Sequence, residues 1–412
     1  MSGAVANDGS PSLVTDADDV LQAAVAMTHL PGGTALRLVA LIEAFGAAGA
    51  WERILAGDPA LLDVLTGAGA RIGPVDLASW HSSAAAIRPE RLLQRLASLG
   101  QRVLVRGGLH YPDVFLADPE PPAVLFARGD LTALGQPLAA IVGTRRASSL
   151  GLDTAFRLGA DATRGGIGIV SGLALGIDGA AHNGALSIDG SRPIAVVGSG
   201  LDVVYPRQNR HLWDAVGERG LLLSEYPPGT RPLPERFPAR NRLVAALSRV
   251  VVCVESHARG GALSTVERAL ERNRIVLAVP GPAISDYSEG SNRLLRQHHA
   301  CLDATDIGAA VGWTIAAAGT VEPRPEPDAV ATVVLGVLGW EPRTVDWILC
   351  HTGLGAGAVS LALYRLQDDL WVSHACGRWH RLAPPPIGRR FESRPVDTLP
   401  FGAFEVSAGL DP

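Results

Sequence analysis

Between residues 136 and 311, short apolar runs rich in Val, Ile and Leu alternate with stretches of helical periodicity. The runs read AAIVG, GIGIVSG, RPIAVVGSG, LLLSE, RVVVCVE and RIVLAVPG. Strands that are apolar throughout and separated by helices are typical of a parallel sheet covered on both faces. The sequence therefore predicts an α/β fold whose core is an extended Rossmann-like, doubly wound parallel sheet. Ligands of such sheets bind at the carboxyl ends of the strands.

The segments that flank this core follow other patterns. Before it, apolar residues recur at helical spacing and an LPGG turn separates two of the predicted helices, as in helix-hairpin-helix or SAM-like domains. After it, three short helical patterns precede two β-like runs, which is the order of a winged helix. The predicted organisation is a disordered N-terminus (1–19), a helical domain (20–107), an extended connector (108–135), the core (136–311), a Pro- and Ala-rich linker (312–329), a winged helix (330–383) and a tail (384–412).

All 36 basic residues are arginine, and the chain has no lysine. Schiff-base enzymes, pyridoxal enzymes and Walker-type nucleotidases need a lysine, so these classes are excluded. The formal net charge of −5 argues against a uniformly basic nucleic-acid binder. Between residues 205 and 249, however, eight Arg face four acidic residues, which leaves a local excess of four positive charges.

Four cysteines without a CxxC pair indicate neither a disulfide framework nor a zinc site. The acidic, polar N-terminus is unlike a signal peptide, and no apolar run reaches the length of a membrane span. We therefore expect a cytoplasmic protein that has no membrane segment, no metal and no cofactor.

The predicted strands end in small residues, which let a ligand approach the backbone, while the next helix directs N–H groups and partial positive charge towards an anion. Five such turns are expected to meet at one edge of the sheet and form a phosphate-binding crevice. They contain Gly143, Thr144 and Arg145; Ser171, Gly172 and Gly176; Gly198, Ser199 and Gly200; Ser256, Gly260 and Gly261; and Pro280 and Gly281.

Asp178 and His182 lie four residues apart at the start of a predicted helix. Such a pair can act as an acid and a base, but no HExxH, GxSxG or carboxylate cluster accompanies it. We interpret both residues as structural supports of the turn and expect no catalytic residue.

The segment RFPARNRLVAAL places Arg236, Arg240 and Arg242 around Phe237 and Asn241 at a helix start. Guanidinium groups bind phosphate oxygens through two parallel hydrogen bonds, and an aromatic ring stacks on an unpaired base. An amphipathic helix with Phe237 packed in the core would explain the same residues. Three arginines beside an aromatic favour a nucleic-acid contact.

The order of the motifs resembles the DNA-processing protein A family, also called Smf, from Met27 to Leu382. The matching segments are YP at Tyr111, DPEPPAVLFARG, IVGTRRAS, SGLALGIDGAAHNGAL, VVGSGLDVVYPRQNRHL, LLSEYPPGTRP, FPARNRLVAALS, GGALSTVERALE, AVPGPAISDYSEGSNRLL and GRWHRL. The resemblance implies a protein that binds single-stranded DNA without strong sequence preference, forms a homodimer and delivers the strand to the RecA recombinase during natural transformation and recombination.

The resemblance also implies that DNA contacts come from Arg145, Ser171, Gly172, Phe237, Arg240 and Arg242. Arg207 stands where many relatives have lysine and keeps a positive charge, whereas Asn183 does not. With the turn residues, the full set of candidate DNA- and phosphate-binding residues is Gly143, Thr144, Arg145, Ser171, Gly172, Gly176, Gly200, Arg207, Arg236, Phe237, Arg240, Asn241, Arg242, Gly260, Gly261 and Ser264.

Two alternatives remain open on the sequence. Nucleoside-monophosphate phosphoribohydrolases of the lysine-decarboxylase-like family share this core, but their PGGxGTxxE motif is matched only in part by the segment from Arg259 to Glu267. The second alternative is a non-catalytic scaffold whose winged helix recruits a protein partner.

Overall fold

A computed structural model describes residues 18–313, 325–338, 343–369, 371–375 and 377–381. Most of the predicted disordered N-terminus and of the linker, and the whole predicted tail, lie outside the described residues. The described chain forms two compact units, one ending at residue 313 and the other beginning at residue 325.

The first unit begins with the predicted helices. They are α1 (Asp18–Met27), α2 (Ala35–Ala56), α3 (Ala60–Gly67), α4 (Pro74–Ala86) and α5 (Pro89–Ser98). Their apolar faces bury large side chains such as Met27, Leu41 and Trp80 in one cluster. The indole Nε1 of Trp80 donates a hydrogen bond of 2.7 Å to the carbonyl of Pro31, so α4 closes over the LPGG turn between α1 and α2.

A nine-stranded sheet follows. Its strands are β1 (Arg102–Val105), β2 (Val124–Gly129), β3 (Leu138–Val142), β4 (Gly168–Ser171), β5 (Ile194–Val196), β6 (Leu221–Ser224), β7 (Val250–Cys253), β8 (Ile275–Ala278) and β9 (His299–Ala300), in the spatial order β1-β2-β6-β5-β4-β3-β7-β8-β9. Seven strands run parallel, which confirms the predicted doubly wound core. In spatial order they are β6, β5, β4, β3, β7, β8 and β9.

The sheet begins earlier in the chain than the predicted core boundary at residue 136. Strands β1 and β2 pair antiparallel with each other, and β2 pairs antiparallel with β6. They come from the end of the predicted helical domain and from the predicted connector. The apolar run VLFA at residues 124–127 is buried. Its backbone N–H and C=O groups therefore need hydrogen-bond partners inside the protein, and pairing with β6 supplies them.

The remaining helices of this unit are α6 (Ser149–Arg164), α7 (Ile177–Leu186), α8 (Arg210–Arg219), α9 (Arg236–Leu247), α10 (Gly261–Leu270), α11 (Glu289–Leu294) and α12 (Ala304–Val311). Alternate residues of the strands point to opposite faces. On one face they pack against α6, α7, α8, α12 and the N-terminal helices. On the other face they pack against α9 and α10. Both faces of the sheet are therefore covered, as the continuous apolar strands require.

The second unit contains α13 (Ala329–Leu338), α14 (Val345–Thr352), α15 (Ala356–Asp368) and an antiparallel hairpin of β10 (Val372–Ala375) and β11 (Arg378–Arg381). This is the predicted winged-helix order, built around Val334, Ile348 and Leu363. Among the described residues no single helix is long and apolar enough to cross a membrane; α14 and α15 reach that length and hydropathy only as a pair bent by 116°.

Candidate functional site

A cavity of about 610 Å³ opens where the direction of strand progression reverses. The chain adds β4, β5 and β6 on one side of β3 and then returns to place β7 on the other side. In doubly wound sheets the crevice at such a switch point is the usual ligand site. Here it lies at the carboxyl ends of β3, β4 and β7, beside the first turns of α9 and α10.

The cavity brings together many of the predicted residues. Those that line it are Gly143, Thr144, Arg145, Gly172, Phe237, Arg240, Asn241, Gly260 and Gly261, with Asp178 at its base. Arg145 and Arg146 are exposed, so two charged side chains stand at its mouth.

Only three of the five predicted turns reach the cavity. The turn after β5 packs on the segment that follows β6 instead, where Gly200 donates its N–H to Thr230 at 3.0 Å. The turn after β8 is tied to α11, because the Asn292 side chain makes two 3.0 Å hydrogen bonds with Gly281. The expectation that all five turns converge is therefore wrong. Strands β5 and β8 each lie one strand too far from the switch point.

Several predicted residues lie elsewhere. Ser171 is buried and its hydroxyl donates to the carbonyl of Ile141 at 2.7 Å. Arg242 is buried and paired with Glu225, and neither residue belongs to the cavity lining. The others outside the lining are Gly176, Gly200, Arg207, Arg236 and Ser264, although Ser264 accepts a 3.4 Å hydrogen bond from Asn241. Arg236 lies over the ring of Tyr226.

Arg240 forms the floor of the cavity. It is only 4% exposed, donates a hydrogen bond to the carbonyl of Val196, and has no partner for Nε within the described residues. Burial lowers its pKa to about 10, while the nearby Asp178 carboxylate acts in the opposite direction. The guanidinium therefore stays charged at neutral pH. It also explains Gly172, because a Cβ on that residue would overlap the guanidinium.

Asp178 holds the β4–α7 turn from inside, and His182 lies buried one helical turn later on α7. The Asp178 carboxylate accepts the N–H of Gly172 at 3.1 Å. Burial raises its pKa, and Arg240 and the backbone donors oppose that rise. His182 is fully buried, and burial lowers its pKa to about 3, so the ring is neutral at physiological pH.

Glu255, which follows β7, was missed at the sequence level. Its carboxylate accepts hydrogen bonds from both the N–H (2.9 Å) and the hydroxyl of Ser148, the N-cap of α6. Its backbone carbonyl accepts the N–H of Thr144 at 2.8 Å. Glu255 thus fixes both ends of the GTRRAS turn. The buried apolar run that precedes it gave no sign that the carboxylate would point inward.

Helices α7, α9 and α10 begin at the cavity, and α6 begins just after the Arg145–Arg146 turn that lines it. The starts of α6 and α7 already have an internal anion. The start of α6 is occupied by Glu255 and the first turn of α7 contains Asp178. The first turn of α10 has neither an acidic side chain nor a side-chain cap, and begins with Gly260 and Gly261. The partial positive charge of α10 is thus available to an external anion.

An aromatic group lies beside these donors. The guanidinium carbon of Arg145 is 4.8 Å from the ring centroid of Phe237, and the ring of Tyr205 is 5.4 Å from the same centroid. Tyr205 lines the cavity, as do Arg146, His257 and Thr265; the sequence analysis did not select these four. The motif VVYPRQN contains Tyr205 two residues before Arg207, so an aromatic ring in this motif was the available sequence signal.

The residues needed for the phosphoribohydrolase alternative are not in the cavity. Glu267, the carboxylate of the partial motif, is exposed on α10, and neither it nor Arg259 belongs to the lining. The carboxyl group that lines the cavity is Asp178, which is engaged in the turn. No group of three or more His, Cys, Asp or Glu side chains suited to a metal occurs within the described ranges.

Comparisons with known proteins agree with this architecture. The family model described as DNA recombination-mediator protein A matches residues 102–311, and the DprA winged helix domain matches residues 318–367. The first match begins at β1, where the sheet begins.

Three similar proteins show how far the likeness extends. Protein Smf of Escherichia coli K12 is 43% identical over 283 residues, which cover 66% of this chain and 75% of that protein. The DNA processing protein DprA of Streptococcus pneumoniae R6 is 44% identical over 176 residues, which cover 43% of this chain and 62% of that protein. The X-ray structure of DNA processing protein A from S. pneumoniae superposes with a TM-score of 0.60 at 33% identity, and covers 71% of this chain and 97% of that one. The chain belongs to the DNA recombination-mediator protein A family, known as DprA or Smf.

Proposed function

We propose that this protein binds single-stranded DNA in the cavity at the carboxyl ends of β3, β4 and β7, with little sequence preference and without catalysis. The observation that carries the proposal is one lining that combines exposed arginines, an uncapped helix start and an aromatic ring. Single-strand binders join a positively charged groove with aromatic platforms for bases in this way.

Phosphates would bind between Arg145 and the start of α10. Arg145 is exposed, and a guanidinium can form two parallel hydrogen bonds with phosphate oxygens. A Cβ added at Gly261 would meet nothing within 4 Å, so the space in front of the helix start is open to a ligand. The buried Arg240 supplies a fixed charge behind this space.

The single-stranded form is favoured because Phe237 lies in a recess rather than on a raised surface. A base must leave the stack to reach the ring, which costs little in a single strand and several kcal/mol in a duplex. Contacts to phosphates and to the face of a base carry no sequence information, so binding should depend strongly on salt and weakly on sequence.

We infer further that the protein acts as a cytoplasmic homodimer that passes the bound strand to the RecA recombinase during DNA uptake and recombination. The described family of recombination mediators supports this role. We do not assign DNA binding to α15 of the winged helix. Its Arg365 is paired with Asp328 at 3.0 Å, so the charge of this arginine is already neutralised within the unit. A test of delivery is whether the protein accelerates RecA assembly on oligonucleotides already coated by a single-strand binding protein.

The binding test compares Arg145→Ala with Arg164→Ala, an exposed arginine on α6 that pairs with Asp161 outside the cavity. Fluorescence anisotropy of labelled oligo-dT and of a matched duplex is recorded over a salt series. We expect oligo-dT to bind more tightly than the duplex, and Arg145→Ala to lower the salt slope by about 0.7, the value for one lost phosphate contact. Equal slopes for the two variants, or preferred binding of a specific duplex, would contradict the proposal.

A further inference from the structure

The middle of the solvent-facing side of α15 is apolar. The buried side of this helix contains Val359, Leu363 and Leu366, which pack in the core of the second unit. On the opposite side, Leu361 and Tyr364 are 52% and 68% exposed. Helices on the surface of soluble proteins direct polar residues towards water, and a helix that is apolar all round is normally covered on every side. We therefore expect the exposed side of α15 to have a partner.

The exposed apolar residues belong to a straight stripe along α15. At about 100° per residue, Gly357, Leu361, Tyr364 and Asp368 fall within a sector of about 60° around the helix axis. All four residues are exposed. A Cβ added at Gly357 would meet nothing within 4 Å, so a second helix can approach α15 closely at that end. The stripe thus leads from a small residue through two large apolar residues to a carboxylate.

The two ends of α15 have complementary charges. The first turn contains no acidic residue and Gly355 supplies no side-chain cap, so the start of the helix keeps its partial positive charge. At the other end, Asp368 and Asp369 stand beside the partial negative charge of the helix end, where acidic residues are unfavourable. Arg365, the basic residue of the last turn, is shared with Asp328 at 3.0 Å. A second, antiparallel helix would bring each end of α15 the charge that suits it.

We infer that α15 binds the α15 of a second copy of this chain in antiparallel orientation, about a two-fold axis between Leu361 and Tyr364. This axis places Leu361 of one copy opposite Tyr364 of the other, and Asp368 opposite the start of the other helix. Each contact occurs twice, as in every isologous interface. One pair of short helices is a small interface, in the class below about 1,200 Å² that gives weak association. The contact lies wholly within the second unit and is independent of DNA binding.

Sedimentation velocity of the full-length protein, over a series of concentrations and without DNA, tests this contact. The mass of wild type should rise with concentration. Tyr364→Arg should lower the mass reached at the highest concentration, because it sets a charge against the apolar Leu361 of the other copy. The matched control is Val75→Arg, since Val75 is 83% exposed on α4 of the first unit, and this variant should associate as wild type does. Circular dichroism establishes that each variant is folded.

Asp368→Arg separates association from folding. An arginine in the last turn of a helix is favourable, so the Tm of this variant should equal or exceed that of wild type. In the paired state the new arginine faces the positive start of the other α15. Because this contact occurs twice, association should weaken by about 3- to 30-fold. Unchanged association of Asp368→Arg would overturn the antiparallel pairing.

A thiol beside the stripe distinguishes a second copy from other occupants. Ser360→Cys, made together with Cys350→Ser and Cys376→Ser, should react with Ellman's reagent more slowly as the protein concentration rises. Slow reaction at every concentration, at constant mass, would assign the stripe to residues 382–412 of the same chain. Fast reaction at every concentration would leave the stripe to a different protein. Either result, or equal masses for wild type and Tyr364→Arg, would overturn the contact between copies and leave single-strand binding untouched.

Discussion

Gly172 and Gly261 both line the cavity, yet their surroundings differ. A Cβ on Gly172 lies within 3.0 Å of Nη1, Nη2 and Cζ of Arg240, and real Cβ atoms essentially never come so close to another group. A Cβ on Gly261 meets nothing within 4 Å. The same substitution at the two positions should therefore have opposite consequences.

In Gly172→Ala the guanidinium of Arg240 must move, because the methyl group occupies its place. Overpacking costs about 1–3 kcal/mol, and the charged hydrogen bond to Val196 adds about 1.5–3 kcal/mol when it is lost in a buried site. We expect a loss of unfolding free energy of about 3–5 kcal/mol. Gly261→Ala should leave stability unchanged or raise it by about 0.5 kcal/mol, since alanine restricts the unfolded chain.

Urea unfolding of the full-length variants, followed by circular dichroism, measures these differences, provided that the m-values agree. Oligo-dT binding should weaken in Gly261→Ala even though its stability is unchanged, because the methyl group stands in front of the open helix start. Binding is measured at a temperature where the variant is folded. A Gly172→Ala variant within about 0.5 kcal/mol of wild type would refute the packing argument, since surface substitutions vary by that amount.

Three further predictions concern buried ionisable groups. Asp118→Ala should destabilise the protein by about 3–5 kcal/mol in a urea titration, because it leaves the buried Arg272 without its bidentate partner. In the native protein, Nε and Nη2 of Arg272 donate to Asp118 at 2.7 and 2.9 Å. Glu120→Ala removes an exposed partner of the same arginine and should cost less than about 1 kcal/mol in the same titration. The pKa of His182 is about 3 in the folded protein and 6.5 in the unfolded chain, so between pH 3 and 6.5 the unfolded chain binds one more proton and stability falls as pH falls. In this pH range His182→Gln should reduce the slope of unfolding free energy against pH by about 1.4 kcal/mol per pH unit. An unchanged slope would contradict the buried neutral ring. Glu255→Gln should lower stability by about 2 kcal/mol and weaken oligo-dT binding. The N–H and hydroxyl of Ser148 donate to different carboxylate oxygens, and the amide keeps only one oxygen that can accept. Binding equal to wild type would show that the GTRRAS turn does not need the carboxylate.

The parallel core could be predicted from the sequence because its strands are buried on both faces and leave an uninterrupted apolar signal. Strands β1 and β2 gave no such signal. A proline-rich segment separates them, and β6, the strand through which β2 joins the rest of the sheet, lies about a hundred residues further along the chain. Antiparallel pairing over that distance depends on packing that no local pattern records.

The arginines of α9 show what periodicity can and cannot decide. Arg236 and Arg240 are four residues apart and share a helix face, whereas Arg242 is two residues beyond Arg240 and points about 200° away. Helical geometry alone separates Arg242 from its neighbours and predicts a different partner, which is Glu225. Which face of α9 lines the cavity depends on how the helix packs on the sheet. That packing is a tertiary contact, which the periodicity of the α9 sequence does not determine.

The distribution of carboxylates also bears on what the cavity can hold. A single helix start contributes about half a positive charge, and its interaction with one phosphate is worth only about 0.3–1 kcal/mol at an exposed site. Because Glu255 and Asp178 neutralise the starts of α6 and α7, the helix starts left to the cavity are those of α9 and α10, which act together with the charges of Arg145, Arg146 and Arg240. An anion with a single phosphate would gain little from this arrangement. A strand gains from several phosphates and a stacked base at once, so the same carboxylates that rigidify the turns also direct the site towards a polymer and away from mononucleotides.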